Sequence, residues 1–123
     1  MKERHLALGE AGEEMAVRHL EKMGYRIVER RVRFRRGELD IVARDGGEWV
    51  FVEVKARSGK RMGTPEEGMT RQKTARMCRA VLEYIANHGL ENEPIRLDLV
   101  AIDMNAGAAP AIAHYPGGVS WQE

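Results

Sequence analysis

The stretch GELDIVARDGGEWVFVEVKAR, residues 37–57, sets Glu38, Asp40, Glu53, Lys55 and Arg57 among apolar residues on either side of a Gly46-Gly47 turn signal. A two-residue hairpin loop pairs Asp45 with Glu48, and the same register carried outward puts Asp40 opposite Glu53 and Glu38 opposite Lys55. Alternation then gathers Glu38, Asp40 and Val42 with Phe51, Glu53, Lys55 and Arg57 on one face. Leu39, Ile41, Ala43, Val50, Val52 and Val54 take the other, wholly apolar one. Directly opposed carboxylates cost about 0.2–1 kcal/mol even when solvated, so something must offset them. One arrangement is an exposed ion-pair ladder in which Lys55 and Arg57 neutralise the acids. The other is a hard divalent cation, Mg²⁺ or Mn²⁺, held by the oxygens of Asp40 and Glu53. With Lys55 beside it, that second set suffices for phosphodiester hydrolysis: a Lewis acid on the phosphate, an acidified water, and an ammonium for the phosphoryl charge.

The elements around the hairpin decide whether these groups converge. Residues 5–23 carry Leu8, Gly12, Met15, Ala16, His19, Leu20 and Met23 within one helical stripe and stop at Gly24. Glu10 and Glu14 point away from that stripe, whereas Glu13 lies on its border and reaches an edge of the core. Residues 25–36 read as a strand with Val28, Val32 and Phe34 on one side and Arg31, Arg33 and Arg35 on the other. Leu39–Ala43 and Trp49–Val54 form the hairpin, and 58–66 a loop. Residues 67–88 form a second helix whose stripe holds Met69, Met77, Ala80, Val81, Tyr84 and Ile85, with Lys73 on the same side. A lysine there either snorkels to water or aims at a site beside the sheet. Residues 95–104 form a further strand, related to the hairpin by a right-handed parallel crossover. The order α-β-β-β-α-β predicts an α/β domain with a mixed sheet flanked by helices.

A chain of 123 residues fits one domain, 1–123, with a weakly structured tail from about residue 105 that holds one short edge strand near 111–115. The single Cys78 excludes an internal disulfide and a cysteine-rich zinc site, and points to packing and a reducing, cytoplasmic setting. Neither a membrane span nor a signal peptide is evident. The four histidines lack ligand spacing, and Trp49 and Trp121 suit packing better than base stacking. Net charge is only +1, but residues 26–36 hold six arginines against one glutamate, and residues 55–79 hold eight Lys or Arg against two glutamates. Such stripes bind phosphate, which makes Arg31, Arg33, Arg35, Arg57, Lys60, Arg61 and Arg71 candidate nucleic-acid contacts.

GELDIVARD followed by FVEVKAR resembles the acid and Glu-x-Lys signature of the PD-(D/E)XK nuclease superfamily. More narrowly, the chain is similar to the bacterial YraN family of Holliday-junction-resolvase-like proteins, through GEAGEEMA at 9–16, GYRIVERRVR at 24–33, the hairpin, RQK at 71–73 and RLDLVAI at 96–102. The resemblance implies a restriction-endonuclease-like three-layer core. It also implies Asp40 and Glu53 as metal ligands, Lys55 as the catalytic lysine, Glu13 as the first-helix acid and Lys73 as a basic residue near the scissile phosphate. The expected function is a metal-dependent endonuclease on branched or otherwise structured DNA, and two cuts on a symmetric junction would call for a homodimer. The alternatives are a nucleic-acid-binding module of the same fold without cleavage, and an interaction protein whose hairpin charges are only an ion-pair ladder.

Overall fold

The computed structural model describes residues 2–57, 68–104 and 109–122. Helix α1 (Lys2–Lys22) leads into strands β1 (Arg26–Phe34), β2 (Gly37–Asp45) and β3 (Glu48–Arg57), then helix α2 (Arg71–His88), β4 (Ile95–Asp103) and β5 (Ala111–Tyr115). The strands lie in one sheet in the order β1-β2-β3-β4-β5. All neighbours are antiparallel except β3 and β4, which run parallel. A parallel pair needs a long crossover, and α2 supplies it. β5 occupies the segment expected as an edge strand, and Val119 beyond it is buried, its N–H donating to the Leu97 carbonyl at 3.3 Å.

The helices cover opposite faces. Ala16, Val17 and Leu20 of α1 pack on Ile41, Ala43, Val50, Val52, Val100 and Ile102. Met77, Cys78, Val81, Tyr84 and Ile85 of α2 pack on Leu39, Val42, Phe51, Leu97 and Leu99. The central strands β3 and β4 are therefore buried on both sides, which is why they read as nearly continuous apolar runs. The result is an α/β fold of three layers, compatible with a restriction-endonuclease-like core. Among the described residues no helix is long and apolar enough to cross a membrane.

Two approaches set the layer spacing. Gly12 of α1 is buried, and a Cβ there would lie 2.5 Å from the Cβ of Ala56 in β3. Gly12→Ala should therefore cost about 1–3 kcal/mol in overpacking against roughly 1 kcal/mol gained in helix propensity, a net loss of up to about 2 kcal/mol. Thermal melting checks the sign. On the other face, a Cβ at Gly37 would lie 2.8 Å from the Arg76 carbonyl oxygen, so the start of β2 presses directly on the backbone of α2.

Four expectations need correction. The second helix begins at Arg71, because Thr70 has extended backbone and its Oγ1 accepts the Lys73 N–H at 3.2 Å, an N-cap. Met23 lies past the end of α1 and is 60% exposed. Val28 sits in a register shift between Ile27 and Glu29 and turns outward rather than joining Val32 and Phe34. Finally, Leu39 leaves the face of Ile41 and Ala43 for the α2 side, together with Val32. The alternation breaks where Arg31 adopts φ 52°, a left-handed conformation uncommon outside glycine. It stands between the pairs Arg30–Ile41 and Val32–Leu39, across from Asp40.

Candidate active site

The hairpin register holds as expected from Asp45–Glu48 to Ile41–Val52 and then stops. Past that point the Asp40 side chain replaces a ladder carbonyl: its Oδ2 accepts the Val54 N–H at 2.8 Å. Asp40 and Glu53 are thus joined by proximity in a sheet that has opened, and Glu38 and Lys55 are not ladder partners. This opening places two carboxylates at the edge of the buried layer rather than on a solvated face.

Their electrostatics follow from that position. Burial, then the charge of Glu53, pushes the Asp40 carboxyl up to about 8, with the Val54 N–H opposing. Burial also raises Glu53, while Lys55 and Lys73 pull it back and Glu38 and Glu13 add to the rise. Lys55 Nζ stands 3.8 Å from Glu53 Oε2, its side chain 23% exposed. Burial pushes its ammonium down, Glu53 resists, and the facing Lys73 amine pushes it down further. Lys73, in the first turn of α2, therefore meets Lys55 across the cleft between helix and sheet.

Glu13 arrives from α1 on the other side of the sheet. Its carboxylate accepts from Arg31 Nε at 2.7 Å and is close enough to raise both Asp40 and Glu53. The structure thus brings together all five residues singled out for chemistry: Asp40, Glu53, Lys55, Glu13 and Lys73. The carboxylates are reachable from two sides. A hollow of about 260 Å³ on the α1 side is lined by Gly9, Glu13, Asp40, Glu53, Val54, Lys55 and Ala56. A larger cleft of about 720 Å³ opens toward α2, with Asp40, Glu53 and Glu38 as its acids and Arg33, Arg35, Arg36, Lys55, Lys73, Arg76 and Arg79 as its bases.

Of the residues expected to touch nucleic acid, Arg33 and Arg35 line this cleft, Arg33 also pairing with Glu38 at 3.5 Å. Arg31 instead serves Glu13, and lies 4.0 Å from Glu10. Arg57 ends β3, and Arg71 is exposed at the start of α2 without lining the cleft. Lys60 and Arg61 lie outside the described residues. Sequence reasoning missed Arg36, Gln72, Arg76 and Arg79. A signal existed for the last three: residues three and four apart share a helix face, and Gln72–Arg76 and Arg76–Arg79 have those spacings next to Lys73.

The donor set fits a hard cation. Two half-buried carboxylates of raised pKa, short of hydrogen-bond donors, are what a divalent ion would keep ionised, and Mg²⁺ commonly takes only one or two carboxylates with water and phosphate completing its shell. Among the described residues there is no cluster of three or more His, Cys, Asp or Glu arranged to hold a metal, so any such shell must be finished by water or substrate.

Residues 12–102 match the profile of the uncharacterised protein family UPF0102. The chain belongs to this family. It is 50% identical over 96 residues to the UPF0102 protein STH1475 of Symbiobacterium thermophilum, covering 78% of this chain and 81% of that one. It is 43% identical over 111 residues to a UPF0102 protein of Beutenbergia cavernae, covering 90% and 94%. A third UPF0102 relative, GSU0650 of Geobacter sulfurreducens, is 41% identical over 107 residues, covering 87% and 84%. The UPF0102 match spans α1 from Gly12, the hairpin and α2, and so includes every one of the five converging residues.

Proposed function

We propose that this UPF0102 chain is a metal-dependent endonuclease that hydrolyses phosphodiester bonds in branched or otherwise structured DNA. The observation that carries the proposal is the placement of two half-buried carboxylates beside a half-buried lysine at the base of a cleft walled by cations. Seven basic against three acidic side chains line that cleft, a balance that attracts a polyanion while keeping acids where a cation is needed. Asp40 and Glu53 would hold Mg²⁺ or Mn²⁺, and the ion when bound supplies polarisation of the phosphate and acidification of water.

The rest of the work falls to side chains of this chain. Arg33, Arg35, Arg76 and Arg79 bind phosphates and hold the backbone in register. Lys73 lies over Lys55 and eases loss of the Lys55 proton by charge repulsion. Lys55 Nζ, between the carboxylates and the cleft, orients the attacking water or donates to a phosphoryl oxygen as charge builds there. The sheet and both helices shield the carboxylates in part, which strengthens each of these interactions relative to open solvent.

Incubation of the purified chain with four-way junction, flap and linear duplex DNA, with and without Mg²⁺ or Mn²⁺, tests the proposal. Cation-dependent nicking is expected. Binding without nicking under every condition would leave only a nucleic-acid-binding module, the reading favoured because, among the described residues, the nearby acids Glu13 and Glu38 are each paired with an arginine. The cleft also sets the salt dependence: if four or more of its cations displace counterions, affinity should fall at least about 100-fold between 50 and 200 mM salt. Replacing Arg76 and Arg79 together by alanine should flatten that log–log slope by about two, as read by fluorescence anisotropy.

A further inference from the structure

Beside the basic cleft lies a second hollow of about 210 Å³, lined by Phe34, Arg36, Gly37, Arg79, Ala80, Leu82 and Glu83. It shares Phe34, Arg36, Gly37 and Arg79 with the cleft, so the two are continuous. Its character differs. The cleft is dominated by cations, whereas this alcove has an aromatic ring, an aliphatic side chain 53% exposed at Leu82, and one carboxylate at Glu83.

We infer that the alcove receives one unpaired nucleobase from a strand whose backbone lies in the cleft. This rests on the nucleic-acid reading of the cleft and refines it: the substrate would be DNA with an unpaired nucleotide next to the bound phosphates. Phe34 is packed on the α2-side core and half-buried, so its ring is held rigidly and offers a stacking surface at little entropic cost. Leu82, an exposed apolar side chain with no core to join, gains a partner when a planar ring enters.

The polar groups suit the edge of such a ring. Glu83 is exposed on α2 and supplies an acceptor for ring or amino N–H groups. Arg36 and Arg79, shared with the cleft, supply donors to base carbonyls or to the flanking phosphate. A bare phosphate would not favour a hollow that contains Glu83 and Leu82, because the carboxylate repels it and the leucine gives it nothing. A paired base is too large, and its hydrogen-bonding edge is already occupied. Gly37, seated closely on the Arg76 backbone, lines both cleft and alcove, so a base enters the alcove by turning aside from a strand that lies in the cleft.

The test measures affinity, not cleavage, in the full chain carrying Lys55→Ala. Three fluorescein-labelled DNA probes are compared by anisotropy: a plain duplex, the same duplex with one bulged nucleotide, and the same bulge with an abasic site. The bulged nucleotide is expected to bind about ten-fold more tightly than the abasic bulge, the order of one stacked base. Phe34→Leu, close in volume, and Glu83→Ala, which removes the acceptor on an exposed position, should each bring that ratio toward one. Equal affinity for bulge and abasic bulge would overturn the inference while leaving phosphate binding in the cleft intact. A ten-fold preference that survives both substitutions would also overturn it, placing the base elsewhere. Failure to bind any of the three probes would reject both the alcove and the cleft as DNA sites.

Discussion

Asp40→Asn is expected to melt on the order of 10 °C above the parent chain in metal-free buffer at pH 7, while losing the binding of Mn²⁺. The asparagine keeps an oxygen to accept the Val54 N–H, found at 2.8 Å from Asp40 Oδ2, so the opening of the hairpin survives. What it removes is a charge in a poor place. The Asp40 carboxyl is raised from 3.8 to about 8, first by burial and then by Glu53, so folding favours its protonated form. The stabilisation tied to that proton is fully present below the ordinary value and is lost as pH rises from about 4 to about 8. At pH 7 the loss is on the order of 4 kcal/mol. Melting temperature against pH should therefore fall across this window in the parent and stay flatter in Asp40→Asn. Mn²⁺ should raise the melting temperature of the parent alone, because the ion holds the carboxylates ionised. A variant less stable than the parent at pH 7 would contradict the burial of that charge.

The second large effect lies at the other end of the sheet. Arg96 is expected to cost about 3–5 kcal/mol on replacement by methionine, although it touches none of the catalytic candidates. Asp98 on β4 has 0% exposure. It accepts Arg96 Nε at 2.8 Å, Arg96 Nη2 at 3.0 Å and the Gly117 N–H at 2.9 Å, with His114 Nε2 at 2.8 Å. Arg96 also bonds the Tyr25 hydroxyl, Asp45 at 3.1 Å and Glu48 at 3.0 Å. One guanidinium thus ties the hairpin turn, the entry to β1 and β4 together. Methionine fills the volume but leaves Asp98 charged and buried. Burial alone would push that carboxyl up, yet the bonds from Arg96, Gly117 and His114 outweigh it and hold it below its ordinary value. Its contribution is therefore present above pH 3.8 and lost as pH falls through the depressed value. The gap between parent and Arg96→Met, measured by denaturant unfolding, should be widest near neutrality and shrink in acid. A change under 1 kcal/mol at pH 7 would mean that the network stabilises little.

How much of this was legible in the sequence varied by element. The hairpin was, because Gly46-Gly47 fixes the loop and β-branched residues alternate around it. So was the crossover, since a long amphipathic segment between strands has few other solutions. Cys78, expected as a small packing residue on the second helix, is indeed buried in the α2-side core. What stayed hidden depended on backbone detail that residue type does not encode. Arg31 is neither glycine nor asparagine, so nothing announced its positive φ, and nothing in the alternation announced that Leu39 packs on the α2 side. The end of the ladder at Ile41–Val52 was equally silent, because Asp40 replaces a carbonyl with a side chain and the pattern of residues does not change. Arg96 and Asp98, two apart on one face of β4, carried a signal for an internal ion pair that a run of apolar neighbours obscured. The alcove depends on how closely Gly37 seats on α2, a tertiary contact.

The central claim is that Asp40, Glu53 and Lys55 form a hydrolytic centre, and single-turnover cleavage of a labelled four-way junction in Mn²⁺ tests it most directly when the parent is compared with Lys55→Ala. The expected result is cation-dependent nicking by the parent and a rate at least about 100-fold lower in the variant, with junction affinity changed by far less. Nicking by Lys55→Ala at the parent rate would contradict the claim.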